Sequence, residues 1–157
     1  LEASGLPFQV ALLGEQFVRV PPALEEAKER LGPHLARFGY VESYAEYARW
    51  LWRADLVVST AIHDFFGAAV VEAIYCGTLP LLPNRLTYPQ FIPEAWRPTC
   101  LYDDFEGLVK RLIWAARDPQ RVRCANLREA VAQYDWRGMA PQYDDALAAV
   151  ALHMATD

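Results

Sequence analysis

Short apolar runs and longer segments with helical spacing alternate along the whole chain. The apolar runs are rich in branched side chains and are closed by Gly, Pro, Asp or Ser, as is typical of buried parallel strands. They lie at residues 8–13, 35–40, 56–60, 78–82 and 99–102. The run at 56–60, with no charge inside it, has the pattern of a central strand. The chain therefore has five predicted strands.

Between and after these runs, apolar positions recur every three or four residues, which predicts helices. The predicted helices cover residues 23–31, 43–54, 67–75, 104–117, 119–134 and 141–153, and residues 83–93 are predicted to be irregular. Ser43 with Glu46 three positions later forms a capping-box pattern, and Gly77 follows the third helix where a left-handed residue ends many helices.

Strands that alternate with helices of this length, without hairpin signals or internal repeats, predict βαβ units. The expected fold is α/β, a Rossmann-like, doubly wound parallel sheet with helices on both faces. Such sheets bind ligands beyond the carboxyl ends of their strands. Functional residues are therefore expected in the segments 14–17, 40–43, 59–67 and 83–88.

The 157 residues are enough for one domain, predicted to cover residues 1–157, and the 54% hydrophobic content excludes a disordered chain. The formal charge of −5 excludes a broad basic surface for a phosphate backbone. Cys76, Cys100 and Cys124 are odd in number and widely spaced, which argues against a disulfide framework or a zinc site and predicts mostly buried thiols.

The apolar runs are far shorter than the roughly 20 residues that span a bilayer, and no basic-then-apolar leader opens the chain. We expect a soluble, cytoplasmic protein without a membrane partner. Residues 1–7, which begin with Leu1, have the pattern of a helix end followed by a turn. The chain is therefore expected to be part of a longer protein.

Residues 59–73 combine a strand end, a helix-starting glycine and two carboxylates. The amides and dipole at a helix start favour a diphosphate, and Gly67 would let the backbone approach it. Glu72 lies five residues further on, about 7.5 Å along a helix axis. A nucleoside diphosphate could thus present its ribose to Glu72, while Asp64 faces a group beyond the phosphates. No metal is required for this arrangement.

Asp64 and Glu72, separated by seven residues with Phe66 and Gly67 between them, resemble the E-x7-E motif of the retaining GT-B glycosyltransferases of family four. Asp64 stands where that motif has Glu. The strand ending at Gly14, the helix ending at Gly77 and the run Tyr134-Asp135-Trp136 also match the donor-binding half of the family. The resemblance covers essentially the whole chain, and it implies that an N-terminal acceptor domain is absent here.

Residues 13–17, 57–67 and 86–89 more narrowly resemble the glycosyltransferase-like-domain family that includes the tRNA-queuosine α-mannosyltransferases. This resemblance implies GDP-mannose as donor, queuosine in tRNA as acceptor, retention of configuration and no cofactor. It also implies that the family's diphosphate-neutralising Arg and Lys lie just before Leu1. The fragment alone is then expected to bind donor weakly and to transfer nothing.

The roles implied by the resemblance concern eight residues. Glu72 would hold the ribose, Asp64 would act on the donor sugar as the catalytic carboxylate, and the backbone around Phe65, Phe66 and Gly67 would contact the diphosphate or sugar; His63 would lie near the sugar, Gly14 near the donor and Tyr40 near the base.

Structural roles compete with several of these assignments. Asp64 is also a typical helix N-cap, and Gly14 is also a typical strand-to-turn glycine. Tyr44, Tyr47, Trp50 and Trp52 fit packing better than base stacking. The arginines at 117, 121, 123 and 128 could touch RNA, but a solvated helix face is the simpler interpretation. A non-catalytic interaction module or a GT-B nucleotide-sugar epimerase are the alternative functions.

Overall fold

The computed structural model describes residues 1–14 and 21–154. The strands are β1 (Val10–Leu13), β2 (Leu35–Gly39), β3 (Leu56–Val58), β4 (Leu79–Pro83) and β5 (Leu101–Tyr102). The α-helices are α1 (Pro22–Leu31), α2 (Tyr44–Arg53), α3 (Ala68–Tyr75), α4 (Tyr88–Phe91), α5 (Arg97–Cys100), α6 (Phe105–Arg117), α7 (Pro119–Cys124), α8 (Arg128–Val131) and α9 (Trp136–Met154). Short 3₁₀ turns cover Glu2–Ser4, Gly32–His34, Glu94–Trp96 and Ala132–Tyr134.

All described strand pairs are parallel, which confirms the predicted α/β class. β1 pairs with β2, with Leu12 opposite Phe38. β4 pairs with β3 on one side and with β5 on the other. The described strands thus form a two-stranded ladder and a three-stranded ladder rather than one hydrogen-bonded sheet.

The core is built around β4, all five of whose residues are buried. A strand with neighbours on both edges and helices on its faces loses nearly all of its water contact, and its apolar sequence fits that position. The buried cluster combines β4 with parts of the helices: Val70, Ile74, Leu79, Leu82, Tyr88, Phe91, Ile92, Cys100, Leu101, Ala115, Val122, Ala125, Leu127 and Val131. This packing fixes α3 and α4 beside the carboxyl end of β3.

Several helix limits agree with the sequence signals. The Ser43 hydroxyl accepts a hydrogen bond from the Glu46 amide at 3.0 Å, which caps α2 as predicted. Gly77 follows α3 with φ of 93°, in the left-handed region expected for its position.

Other predicted limits were wrong. The helix predicted for residues 119–134 is broken, because Ala125 is extended and the Asn126 side chain accepts from the Arg128 amide, which starts a new turn. Residues 99–100 lie in α5 instead of the last strand, and residues 88–91 form α4 within the segment predicted to be irregular. The last helix begins at Trp136 and contains Pro141, which was predicted to be its start.

The three cysteines differ in their surroundings. Cys100 is buried, Cys76 is partly exposed and Cys124 is exposed, so the prediction of mostly buried thiols was wrong for Cys124. All three are free thiols. Within residues 1–14 and 21–154, no helix combines the length and apolar character that a membrane crossing requires.

Candidate functional site

The turn that joins β3 to α3 depends on Gly67. Its φ is 87°, a conformation that side-chain-bearing residues rarely adopt, and it is buried. A Cβ at this position would lie 3.0 Å from Cε1 of Tyr88 and 3.2 Å from Cε2 of Phe91. The close approach of α4 therefore requires glycine here, in addition to the backbone conformation.

Asp64 is held by this turn and by α4. Its Oδ1 accepts from the Gly67 amide at 2.9 Å, and its Oδ2 accepts from the Tyr88 hydroxyl at 2.7 Å. The carboxylate is partly buried. The N-cap role and a ligand-binding role are thus compatible, since the bound oxygens keep further lone pairs. One consequence is that the Gly67 amide is already occupied by Asp64.

A chain of hydrogen-bonded hydroxyl groups leads to Asp64 and orients it. The Tyr88 hydroxyl donates its one hydrogen bond to Asp64, so its oxygen can only accept from Ser59. The Ser59 hydroxyl, 2.9 Å away, is therefore the donor to Tyr88. The Tyr102 hydroxyl donates to the backbone carbonyl of Ser59 at 2.6 Å. Burial is the main cause that raises the pKa of Tyr88, and Asp64 raises it further against the opposing effect of Ser59. Tyr88 therefore remains a donor to Asp64 at neutral pH.

Glu72, on α3, is bound by two tyrosines of α2. The Tyr47 hydroxyl donates to its Oε2 at 2.9 Å, and the Tyr44 hydroxyl lies 3.5 Å from its Oε1. Burial, followed by the hydrogen bond and charge of Glu72, raises the pKa of Tyr47; the charge of Glu72 is the largest cause for Tyr44. Glu72 is only partly buried. The short bond at Oε2 orients the carboxylate, and the longer contact with Tyr44 leaves Oε1 a further lone pair for a ligand's hydroxyl group.

The predicted residues between the two carboxylates take different positions. Phe65 is fully exposed, and His63 is exposed. Phe66 packs edge-on against Phe91 and Tyr134, with ring centroids 5.5 and 5.1 Å away. Its carbonyl accepts from the Thr87 hydroxyl at 3.0 Å. Phe66 thus anchors the turn by its ring, while the backbone of Phe65 faces water.

Gly14 and Tyr40 belong to the other ladder, at the carboxyl ends of β1 and β2. Gly14 has open space around its Cα, with no neighbour within 4 Å of an added Cβ, so nothing in the described residues requires glycine there. The Tyr40 side chain is half exposed and its carbonyl accepts from Arg37 at 3.2 Å. No described hydrogen bond joins either residue to Asp64 or Glu72.

Among the described residues, no lysine or arginine forms an ion pair with Asp64 or Glu72. Arg85 follows β4 at the same sheet edge as Asp64, and its charge opposes the rise in the pKa of Tyr102 that burial causes. In the predicted basic cluster, Arg123 pairs with Asp55 at 2.6 Å, and Arg121 and Arg128 lie over the rings of Trp114 and Tyr75. Three of the four arginines in that cluster are thus engaged in intramolecular contacts.

The arrangement is suited to bind a ligand that carries both hydroxyl groups and an anionic group. The two carboxylates would bind the hydroxyl groups, and the helix start between them would bind the anionic group. The first amides of α3, at Ala68 and Ala69, lie at an exposed helix start, where amides have no partner within the helix. Two oriented carboxylates accept from hydroxyl groups. Among the described residues, no group of three or more His, Cys, Asp or Glu side chains is placed to hold a metal ion.

Sequence reasoning missed the tyrosines. The sequence predicts packing for Tyr44 and Tyr47, yet both reach Glu72, and it predicts no separate role for Tyr88, which donates to Asp64. Their three-residue spacing places Tyr44 and Tyr47 on one face of α2. The sequence predicts that shared face, but it does not predict that the face contacts Glu72, which lies 25 residues after Tyr47 in the chain.

Two curated proteins are similar in sequence to most of this chain. It is 39% identical over 116 residues to the tRNA-queuosine alpha-mannosyltransferase of Drosophila melanogaster, an alignment that covers 74% of this chain and 29% of that protein. It is 30% identical over 142 residues to a protein of Burkholderia thailandensis named as a probable transglycosylase, covering 85% and 38% of the two chains. The chain thus spans about a third of the length of these curated relatives. No protein-family profile matches it.

Solved structures share its fold. A sucrose-phosphate synthase from Thermosynechococcus elongatus superposes with a TM-score of 0.78 at 20% identity, over 92% of this chain and 39% of that chain. HepE from Anabaena, solved in complex with UDP, superposes with a TM-score of 0.74 at 18% identity, over 94% and 43%. The Rossmann-like fold is confirmed, and so is the resemblance to GT-B glycosyltransferases.

Proposed function

We propose that this chain, which resembles the GT-B glycosyltransferases in sequence and fold, is the donor-binding part of a retaining enzyme that transfers mannose from GDP-mannose to queuosine in tRNA. The observation that carries the proposal is the pair of oriented carboxylates, Asp64 and Glu72, on either side of the α3 start. The name of the Drosophila relative supports the donor sugar and the acceptor. The UDP bound to HepE supports a nucleoside diphosphate.

Glu72 is proposed to bind the ribose. Its Oε2 is fixed by Tyr47, so Oε1 can accept from a ribose hydroxyl without a large loss of side-chain entropy. The diphosphate would lie about 7.5 Å toward the helix start, given 1.5 Å per helical residue. There the backbone of the exposed residues Phe65, Phe66, Ala68 and Ala69 would contact it, since the Gly67 amide is occupied by Asp64.

Asp64 is proposed to bind hydroxyl groups of the donor sugar. Tyr88 fixes its Oδ2 and the turn fixes its Oδ1, so the carboxylate presents its remaining lone pairs in one orientation. In the reaction, the bond between the sugar's anomeric carbon and the diphosphate oxygen breaks, and a bond to an acceptor hydroxyl oxygen forms. The acceptor's proton passes to the departing GDP. Helix-start amides would stabilise the negative charge that develops on that diphosphate.

The acceptor side is proposed to lie in another domain of a longer, cytoplasmic protein, because this chain spans about a third of its curated relatives. On this proposal the donor binds without a cofactor or a metal ion. The isolated chain is then expected to bind donor weakly and to have no transferase activity.

Isothermal titration calorimetry with GDP, UDP and GDP-mannose tests the proposal, using this chain and the full-length protein. We expect saturable binding that favours guanine and is abolished by Glu72→Ala. Tyr47→Phe should weaken binding by about 3- to 10-fold, since it removes one orienting hydrogen bond worth roughly 1 kcal/mol. Glu106→Ala, which removes an exposed carboxylate at the start of α6, is the matched control and should leave binding unchanged.

Two outcomes would contradict the proposal. A folded full-length protein that binds none of the three nucleotides would exclude a donor site. Equal loss of binding in Glu72→Ala and Glu106→Ala would show that the effect is not specific to the proposed ribose contact.

A further inference from the structure

The Phe65 side chain projects into solvent from the turn that joins β3 to α3. Its relative exposure is 104%, so no other described residue covers the ring. The adjacent Phe66, in contrast, packs edge-on against two aromatic rings. A single exposed apolar residue needs no explanation by itself. The position of Phe65 needs one, because it lies between the two carboxylates of the candidate site.

The backbone on both sides of Phe65 is fixed. Before it, the Asp64 carboxylate accepts from the Gly67 amide at 2.9 Å. After it, the Phe66 carbonyl accepts from the Thr87 hydroxyl at 3.0 Å. The Phe66 ring occupies the adjoining apolar space, so the turn cannot rotate the Phe65 ring inward without breaking these contacts. An aromatic ring on a rigid turn loses little conformational entropy when it binds a partner.

The ring lies beside the place where the proposed reaction occurs. Phe65 directly follows Asp64, so their Cα atoms are about 3.8 Å apart. Asp64 is proposed to bind the donor sugar, and an acceptor hydroxyl must come within about 3–3.5 Å of the sugar's anomeric carbon to react. The part of the acceptor that carries this hydroxyl is therefore brought close to the Phe65 ring.

The chemistry of this surface favours a flat, uncharged group over a phosphate. Asp64 is an anion, and among the described residues no lysine or arginine is paired with it. The exposed His63 adds a second ring two positions before Phe65. Exposed phenylalanine and histidine rings are typical stacking partners for the unpaired bases of single-stranded RNA.

We propose that the Phe65 ring stacks on an unpaired nucleobase of the acceptor RNA and thereby places the acceptor hydroxyl against the donor sugar. This inference rests on the proposed function and adds to it an acceptor contact within the donor-binding part. The backbone of Phe65 then serves the donor, while its side chain serves the acceptor.

Steady-state kinetics of the full-length protein with GDP-mannose and queuosine-containing tRNA test the inference. We expect Phe65→Ala to raise the KM for tRNA by about 5- to 150-fold, the range for loss of one base–aromatic stack. The KM for GDP-mannose should rise by much less, because the substitution keeps the backbone amide. Phe65→Tyr should retain the contact, whereas Phe65→Leu, which is apolar but has no ring, should resemble Phe65→Ala.

Phe105 provides the matched control. It is 77% exposed at the start of α6, and β4 and β5 separate it from β3. Phe105→Ala should leave both KM values unchanged. In a second readout, Phe65→Trp should retain transfer and add tryptophan fluorescence that queuosine-containing tRNA quenches by stacking. The fluorescence that Phe105→Trp adds should not be quenched.

The outcomes separate this inference from the proposed function. An unchanged KM for tRNA in Phe65→Ala, or full retention of the contact by Phe65→Leu, would overturn the inference while the donor site stands. An equal rise of both KM values would also overturn it, since the ring would then serve the donor or the turn. A full-length protein that binds GDP-mannose but transfers nothing to this tRNA would refute the proposed acceptor, and the inference with it.

Discussion

At the scale of single residues, hydroxyl groups orient both carboxylates of the candidate site. Tyr88 donates to Asp64 at 2.7 Å and Tyr47 donates to Glu72 at 2.9 Å. The sequence predicted the two carboxylates, because their residue types and spacing lie within one segment. It did not predict the tyrosines as their partners, because those contacts join positions 24 and 25 residues apart.

Gly67 offers the sharpest test at this scale. Gly67→Ala should destabilise the protein by about 2–4 kcal/mol, the sum of the left-handed penalty and of overpacking against Tyr88 and Phe91. Urea unfolding followed by circular dichroism measures it. Gly138→Ala is the matched control: a Cβ there meets nothing within 4 Å, and the residue lies in α9, so the change should be within about 1 kcal/mol and stabilising. If Gly67→Ala lowers the free energy of unfolding by less than about 1 kcal/mol, the prediction is wrong, because the turn can then adjust to a side chain at this position.

At the scale of elements, the site depends on two adjacent helices. α3 carries Glu72, and α2 carries the two tyrosines that reach it. The start of α2 was readable from its capping signal. Its packing against α3 was not, because side-chain contacts between helices depend on the orientation that the core imposes on them.

Loss of the α2 cap should weaken the site as well as the fold. Ser43→Ala should lower the free energy of unfolding by about 1 kcal/mol, since the Glu46 amide loses its partner. Urea unfolding measures the stability, and calorimetry with GDP measures binding, which should weaken because the α2 tyrosines are less firmly held. Ser4→Ala, at an exposed serine in the first turn, should change neither quantity. An unchanged urea midpoint for Ser43→Ala would contradict the capping role.

At the scale of the whole molecule, four tyrosines have a pKa above the ordinary value of 10.0. The charge of Glu72 is the main cause for Tyr44, and burial is the main cause that raises the pKa of Tyr47, Tyr88 and Tyr102. Below pH 10 these phenols are neutral in the folded and unfolded chains alike. Above it the unfolded chain ionises first and binds fewer protons than the folded chain, so stability falls as the pH rises.

The alkaline loss of stability can be assigned to specific tyrosines. Between pH 8 and pH 11 the urea midpoint should fall less steeply in the double variant Tyr47→Phe, Tyr88→Phe than in the unsubstituted chain. Tyr143→Phe, at an exposed tyrosine of α9, should leave the slope unchanged. Parallel pH profiles for all three proteins would refute the assignment.

The sequence by itself determined the α/β class, the parallel strands and the segment that carries Asp64, Gly67 and Glu72, because strand composition, helix spacing and capping signals are local. It did not determine the break at Ala125 or the tyrosine partners of the carboxylates. Only the tertiary structure decided those. The reason is that these features depend on which distant segments pack together, and each residue's sequence neighbours carry little information about that packing.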